Sequence, residues 1–179
     1  GRIAIAHNGN LTNAHILRPK LELDGVIFQT NTDSEIFLQL IALSDKPTVE
    51  EAIQEAAGVT EGAFSLVILT PDKLIGLRDG NGFRPLSLGK LGNAFAFASE
   101  TCAFSQIQAS FFRDVEPGEM VAIGECGNPV AHKLFPSEKV RAFCIFEYVY
   151  FSRPDSTIGG KNVYKVRVEM GRQLAREHP

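Results

Sequence analysis

The period of the hydrophobic positions changes along the chain. Ile3-Ala4-Ile5-Ala6 is a short apolar run, and residues 2–7 read as a buried strand. Leu11, Ile16, Leu17, Leu21 and Leu23 then recur at helical spacing. The Asn8-Gly9 pair between them joins a strand to a helix, although Asn-Gly alone is also the signal of a tight hairpin turn. Asn10 or Thr12 can cap this helix, and Pro19 should kink or restart it. Val26 to Gln29 reads as extended. Thr32-Asp33-Ser34-Glu35 has the capping-box pattern ahead of an apolar face of Ile36, Phe37, Leu40 and Ile41. Thr48-Val49-Glu50-Glu51 repeats the pattern before a third helix, with Val49, Ile53 and Ala56 facing inward and Gly58 as a stop.

From residue 63 onward the pattern turns to strands: Ala63–Thr70, Lys73–Arg78, Leu86–Gly89, Ala94–Ser99, Phe111–Val115, Met120–Ile123 and Ala142–Phe151. Pro71-Asp72, Asp79-Gly80-Asn81-Gly82 and Glu116-Pro117-Gly118-Glu119 are turns between them. Segment 152–162 carries Pro154, Gly159 and Gly160 and has little to bury. Asn162 then caps a last helix with Val163, Val166, Met170 and Leu174 on one face. Helices followed by many short strands predict a layered α+β fold with antiparallel sheets.

The bulk composition narrows the function classes. A chain of 179 residues, 44% hydrophobic and 22% charged, suits one soluble domain with at most a stub of a second. A formal charge of −3 argues against nucleic acid or an anionic membrane held by charge alone, and no apolar run is long enough to span a bilayer. Cys102, Cys126 and Cys144 form neither a disulfide framework nor a complete zinc site, which fits a reducing cytoplasmic setting. The chain starts without Met inside an apolar run and stops just after a helical pattern, so a piece of a longer protein is expected.

The chemistry concentrates in His7-Asn8-Gly9-Asn10 and Thr30-Asn31-Thr32-Asp33-Ser34-Glu35. An Asn carboxamide, a Gly N–H and a carboxylate suit a site that binds a zwitterionic amino acid and stabilises an oxyanion. The plainer alternatives are a turn at Asn8-Gly9 and a helix cap at Asp33. His7 reads as a satisfied histidine anchoring the turn. Asp79 and Arg84 read as holding a hairpin, and Tyr148, Tyr150 and Phe151 as packing. No obvious nucleophile lies near either group.

HNGNLTNA at 7–14 and TNTDSE at 30–35 resemble the glutaminase domain of the class II glutamine amidotransferases, which are N-terminal-nucleophile hydrolases. DGNGFRPLSLGK at 79–90, ASETCAF at 98–104, RDVEPGEM at 113–120 and FEYVYFSRPDS at 146–156 narrow the resemblance to the amidophosphoribosyltransferases. It implies a four-layer αββα sandwich, truncated at its start. Residues 1–151 would be an incomplete glutaminase domain and 152–162 an interdomain linker. Residues 163–179 would be the first helix toward an absent phosphoribosyltransferase domain.

In that family glutamine yields ammonia, which displaces pyrophosphate from phosphoribosylpyrophosphate and begins purine synthesis. By resemblance, Asn8 and Gly9 form the oxyanion hole and Asp33 holds the glutamine α-ammonium. Cys144 matches a position that ligates a [4Fe–4S] cluster in some members and is a structural thiol in others; Cys102 and Cys126 read as structural. Arg153 and Asp155 would fix the linker. The nucleophilic Cys and the Arg that clamps the glutamine carboxylate would precede residue 1, so the piece alone should be inactive. Mg²⁺ would belong to the absent domain, and the whole protein would be a homo-oligomer. Glucosamine-6-phosphate synthase and asparagine synthetase share the first motif, and a non-catalytic amino-acid-binding module is a further alternative.

Overall fold

The computed structural model of the protein describes residues 2–135 and 140–179. The chain opens with strand β1 (Ala4–Leu11), helices α1 (Ala14–Leu23), α2 (Asp33–Leu43) and α3 (Val49–Val59), then strands β2 (Gly62–Leu69) and β3 (Leu74–Arg78). It continues through β4 (Ser87–Leu91), β5 (Ala94–Ala98), a short helix α4 (Cys102–Gln106), β6 (Ser110–Asp114), β7 (Glu119–Ile123) and β8 (Pro129–Lys133). A π-helical turn at Glu147–Phe151 leads to a small hairpin, β9 (Thr157–Ile158) and β10 (Lys161–Asn162), and to helix α5 (Val163–Glu177).

Two antiparallel sheets stack. One has the order β1-β2-β3-β7-β8, the other β5-β4-β6. Side chains alternate across each strand. Phe64, Leu66, Ile68, Ile75, Leu77, Met120 and Ala122 face the helices and pack with Phe37, Ile41, Ile53 and Ala56. Val67, Val121 and Ile123 face the second sheet and meet Leu86, Leu88, Phe95 and Phe97. Both faces of β2, β3 and β7 are therefore covered, which is why these strands read as nearly continuous apolar runs. Gly76 admits the second sheet closely, since a Cβ there would lie 2.4 Å from the Phe97 ring. On the far side Phe104 of α4 packs against Gly89 of β4.

Several local expectations hold. Thr48 and Glu51 complete their capping box, the Glu51 N–H donating to Thr48 Oγ1 at 3.2 Å. Asn162 caps α5 by accepting the Lys165 N–H at 3.1 Å. Asp79 is buried and accepts N–H groups from Phe64, Asn81, Gly82 and Phe83, which fixes the turn after β3.

Others are corrected. β1 runs straight through His7-Asn8-Gly9-Asn10 to Leu11, and it is a half-exposed strand paired on one side with β2. Asn13, not Asn10 or Thr12, stands at the N-cap of α1, and the helix continues through Pro19. Gly58 lies inside α3. Ala142–Phe151 forms no strand; Arg84 binds Glu147 at 3.0 Å and the Tyr148 hydroxyl donates to the Ile158 carbonyl at 2.6 Å, which curl the segment into the π-helical turn. Segment 152–162 buries Ser152, Ser156 and Ile158. α4, β8 and the β9–β10 hairpin are additions to the elements expected.

Candidate functional site

The β1 edge organises the site. In an antiparallel pair, alternate residues turn their N–H toward the partner and away from it. The Thr12 N–H donates to the Glu61 carbonyl at 2.8 Å, which sets the phase: Asn10 and Asn8 bond toward β2. His7, Gly9 and Leu11 therefore aim their N–H groups away from β2. Two contacts agree with this phase. Leu11 donates its N–H to Asp33 Oδ2 at 2.8 Å, and Phe64, opposite Gly9, donates to Asp79 instead of β1.

Gly9 has φ +151°, and a Cβ there would stand 2.0 Å from the Ala63 carbonyl oxygen. Only glycine fits. The Gly9 and Leu11 N–H groups lie about 6.8 Å apart along the strand, two residues at roughly 3.4 Å each.

Asp33 opens α2, directly after the extended N-cap Thr32. The expected capping box does not form, because Glu35 turns back and accepts the N–H groups of Gln29 at 2.6 Å and Thr30 at 2.7 Å. Those bonds, the Gln29 one first, hold the Glu35 carboxyl below its ordinary pKa. Asp33 is thus left to the strand: Leu11 holds Oδ2, and His7 Nδ1 lies 3.3 Å from Oδ1. Gly9 and Asp33 share an open groove of about 470 Å³ along β1 and the start of α2, with His7, Asn10, Arg18 and Thr32. No cysteine lines it among the described residues.

Asn8 points to the other face, where its Nδ2 donates to Ser99 Oγ at 3.2 Å. One carboxamide hydrogen is committed there and one is left. Ser99 follows β5, and its neighbours reach the C-terminal part of the chain. Glu100 Oε2 accepts the Arg153 N–H and the Ser156 hydroxyl, both at 2.7 Å, and Thr101 Oγ1 accepts the Thr157 N–H at 2.8 Å. Arg153 and Asp155 pair with each other through two contacts, at 3.0 and 2.9 Å, on the surface.

Cys144 is half-buried just before the π-helical turn and does not line the groove. Among the described residues no trio of His, Cys, Asp or Glu is placed to hold a metal ion. A [4Fe–4S] cluster needs four ligands, so these residues alone do not make its site.

Comparison with known proteins gives the family and the fold. A profile for the glutamine amidotransferase domain matches residues 1–106. The chain belongs to the glutamine amidotransferase domain family. This amidotransferase domain is 44% identical over 177 residues to an amidophosphoribosyltransferase of Bacillus subtilis, covering 99% of the chain and 37% of that protein. It is 46% identical over 178 residues to one of Staphylococcus epidermidis, covering 99% and 36%. The solved glutamine phosphoribosylpyrophosphate amidotransferase of B. subtilis, complexed with ADP and GMP, superposes with a TM-score of 0.94 at 43% identity, over 98% of this chain and 38% of that one. The domain thus spans a little over a third of the length of the curated relatives it matches. The fold is the N-terminal-nucleophile type, α+β with antiparallel sheets.

Asn8, Gly9 and Asp33 are the site residues visible in the sequence. The Leu11 N–H, His7, Arg18 and Ser99 were not singled out for it. Period-two alternation along a strand continuing past Gly9 was the available signal for His7 and Leu11, which lie on its face.

Proposed function

We propose that this chain is the substrate-holding part of a glutamine amidotransferase that delivers ammonia to phosphoribosylpyrophosphate. The observation that carries the reading is the groove lined by both Gly9, whose N–H points away from β2, and Asp33. The α-ammonium of glutamine pairs with Asp33, a charge-assisted contact. Its carboxamide then lies along β1 toward Gly9. A thiolate that attacks the carboxamide carbon pushes the electron pair onto oxygen; the Gly9 N–H at the open β1 edge stabilises that oxyanion, and the Asn8 Nδ2–H not bound to Ser99 reaches it around that edge from the sheet's other face. Donors fixed before the charge develops favour the transition state over the ground state. The base that took the thiol's proton returns it to the nitrogen, so collapse of the tetrahedral species expels ammonia and leaves a thioester, which water hydrolyses to glutamate and the free thiol.

The groove's described lining offers no thiol, so the reading assigns the nucleophile to a residue outside residues 1–179, and these residues alone should not hydrolyse glutamine. Pyrophosphate displacement and Mg²⁺ binding are assigned to the rest of the full-length protein, which would also complete any [4Fe–4S] cluster around Cys144 and assemble as a homo-oligomer. Relatives named amidophosphoribosyltransferases at 44% and 46% identity support the assignment to the start of purine synthesis; a cytosolic setting belongs to the same proposal. Among the described residues no helix is long and apolar enough to cross a membrane.

The test is the Asp33→Asn variant of the full-length protein, assayed for glutamine hydrolysis. Loss of a charge-assisted bond of roughly 1.5–3 kcal/mol should raise KM for glutamine about tenfold to a hundredfold, with a smaller change in kcat. An unchanged KM would remove the basis of the reading.

A further inference from the structure

The Asp33 carboxylate is held from two sides, and only one of the holders is a side chain. The Leu11 N–H takes Oδ2 at 2.8 Å, whereas His7 Nδ1 faces Oδ1 at 3.3 Å. The His7 side chain is only 5% exposed, packed between β1 and the start of α2, and its Nδ1 also lies 3.1 Å from Ser34 Oγ. Its other nitrogen, Nε2, is buried with no hydrogen-bond partner among the described residues.

These facts fix the proton. A neutral imidazole carries one N–H and one lone pair. A lone pair on Nδ1 would face the carboxylate and repel it, and would strand a donor at the buried Nε2. With the proton on Nδ1, the ring donates to Asp33 and Ser34, and Nε2 is left as a bare acceptor; the tautomer is assigned from this network. Burial pushes the ring's pKa below its ordinary 6.5, outweighing the pull of the Asp33 carboxylate, so the ring is neutral at physiological pH. A charged ring would cancel the carboxylate's charge. A neutral one orients the carboxylate and leaves that charge for a cation in the groove.

We infer that His7 is a positioning residue: its Nδ1–H fixes the Asp33 carboxylate in the orientation that receives the α-ammonium of the amino-acid substrate. This rests on the reading of Asp33 given above. His7 then serves the substrate site through Asp33, beyond any part in anchoring the strand.

Two measurements test it. Nitrogen-15 NMR of the histidine rings reports the tautomer in the wild-type protein: a protonated Nδ1 and bare Nε2 at His7 are expected, and the reverse overturns the inference. In the full-length protein, glutamine hydrolysis is compared for His7→Asn, His7→Gln, His7→Phe and Asp33→Asn. An Asn amide reaches the place of Nδ1, whereas a Gln amide reaches that of Nε2. H7N should keep KM within about threefold of wild type, while H7Q and H7F raise it about tenfold with less effect on kcat. Equal impairment of H7N and H7Q, a wild-type KM in H7Q, or a loss confined to kcat overturns it. A raised KM in D33N beside a wild-type KM in H7Q overturns this inference alone, whereas an unchanged KM in D33N overturns the reading of Asp33 and this inference with it. If H7Q and H7F do not fold, the tautomer decides.

Discussion

Gly9→Ala perturbs the β1 edge most directly. At φ +151° an L side chain is disfavoured, and the new Cβ would stand 2.0 Å from the Ala63 carbonyl oxygen and 2.8 Å from the Phe64 Cα. A residue forced into such a region costs roughly 1–3 kcal/mol. Both obstructing atoms are backbone, so no rotamer change relieves the overlap and β1 must draw away from β2. Loosening two ladder bonds beside it, at Asn8 opposite Ser65 and Asn10 opposite Ala63, adds roughly 1–3 kcal/mol. The sum, roughly 2–6 kcal/mol, lowers the melting temperature by about 4–24 °C in a chain of this size. Gly58→Ala is the reference. It sits inside α3 with no atom within 4 Å of its added Cβ, and it should gain roughly 0.5–1 kcal/mol. Urea unfolding of the three proteins by circular dichroism gives the comparison. A Gly9→Ala midpoint equal to wild type would show that the strand does not require glycine there, and the argument for the edge geometry would fail.

Three further outcomes follow from the same contacts. Asp79→Ala strands the N–H groups of Phe64, Asn81, Gly82 and Phe83 and should cost roughly 3 kcal/mol or more, read as a lower urea midpoint at unchanged slope. Glu35 has its pKa lowered from 4.5, so it contributes stability that is present above that value and lost as the pH falls through and below it; Glu35→Gln should flatten this acid limb in unfolding curves between about pH 7 and about pH 3. Glu100→Ala removes the acceptor of the Arg153 N–H, so hydrogen exchange at Arg153 should rise about tenfold, while the Thr157 N–H held by Thr101 stays protected.

Much of the fold was legible because local chemistry and tertiary context agree. β2, β3 and β7 are covered on both faces, and their apolar runs have one reading. Thr48 with Glu51, the Asp79 turn and Asn162 act through neighbours within a few residues, so sequence spacing alone reveals them. What escaped depends on distant partners. Thr32 and Glu35 have the capping spacing, but the loop at Gln29 and Thr30 offers Glu35 better donors. Phe146 to Phe151 has strand-like composition, yet Arg84 and Ile158 hold Glu147 and Tyr148 in a helical turn, and Val149, Tyr150 and Phe151 stay half-exposed or more. β8 begins with a proline and pairs with β7 alone, which an edge strand tolerates.

The candidate site divides the same way. Asn8, Gly9 and Asp33 could be named because their residue types suit the chemistry and their order resembles a known family. That Asp33 meets the Leu11 N–H and that Asn8 crosses to Ser99 follow from the β1–β2 register and the stacking of two sheets, and neither can be read from spacing.

A crystal structure of the full-length protein with a glutamine-derived electrophile bound would expose the site itself. The α-ammonium is expected within hydrogen-bonding distance of Asp33, with the former carboxamide oxygen roughly 2.7–3.1 Å from the Gly9 N–H. A ligand seated elsewhere, with the Gly9 N–H turned from its oxygen and Asp33 bound only to Leu11 and His7, would contradict the account.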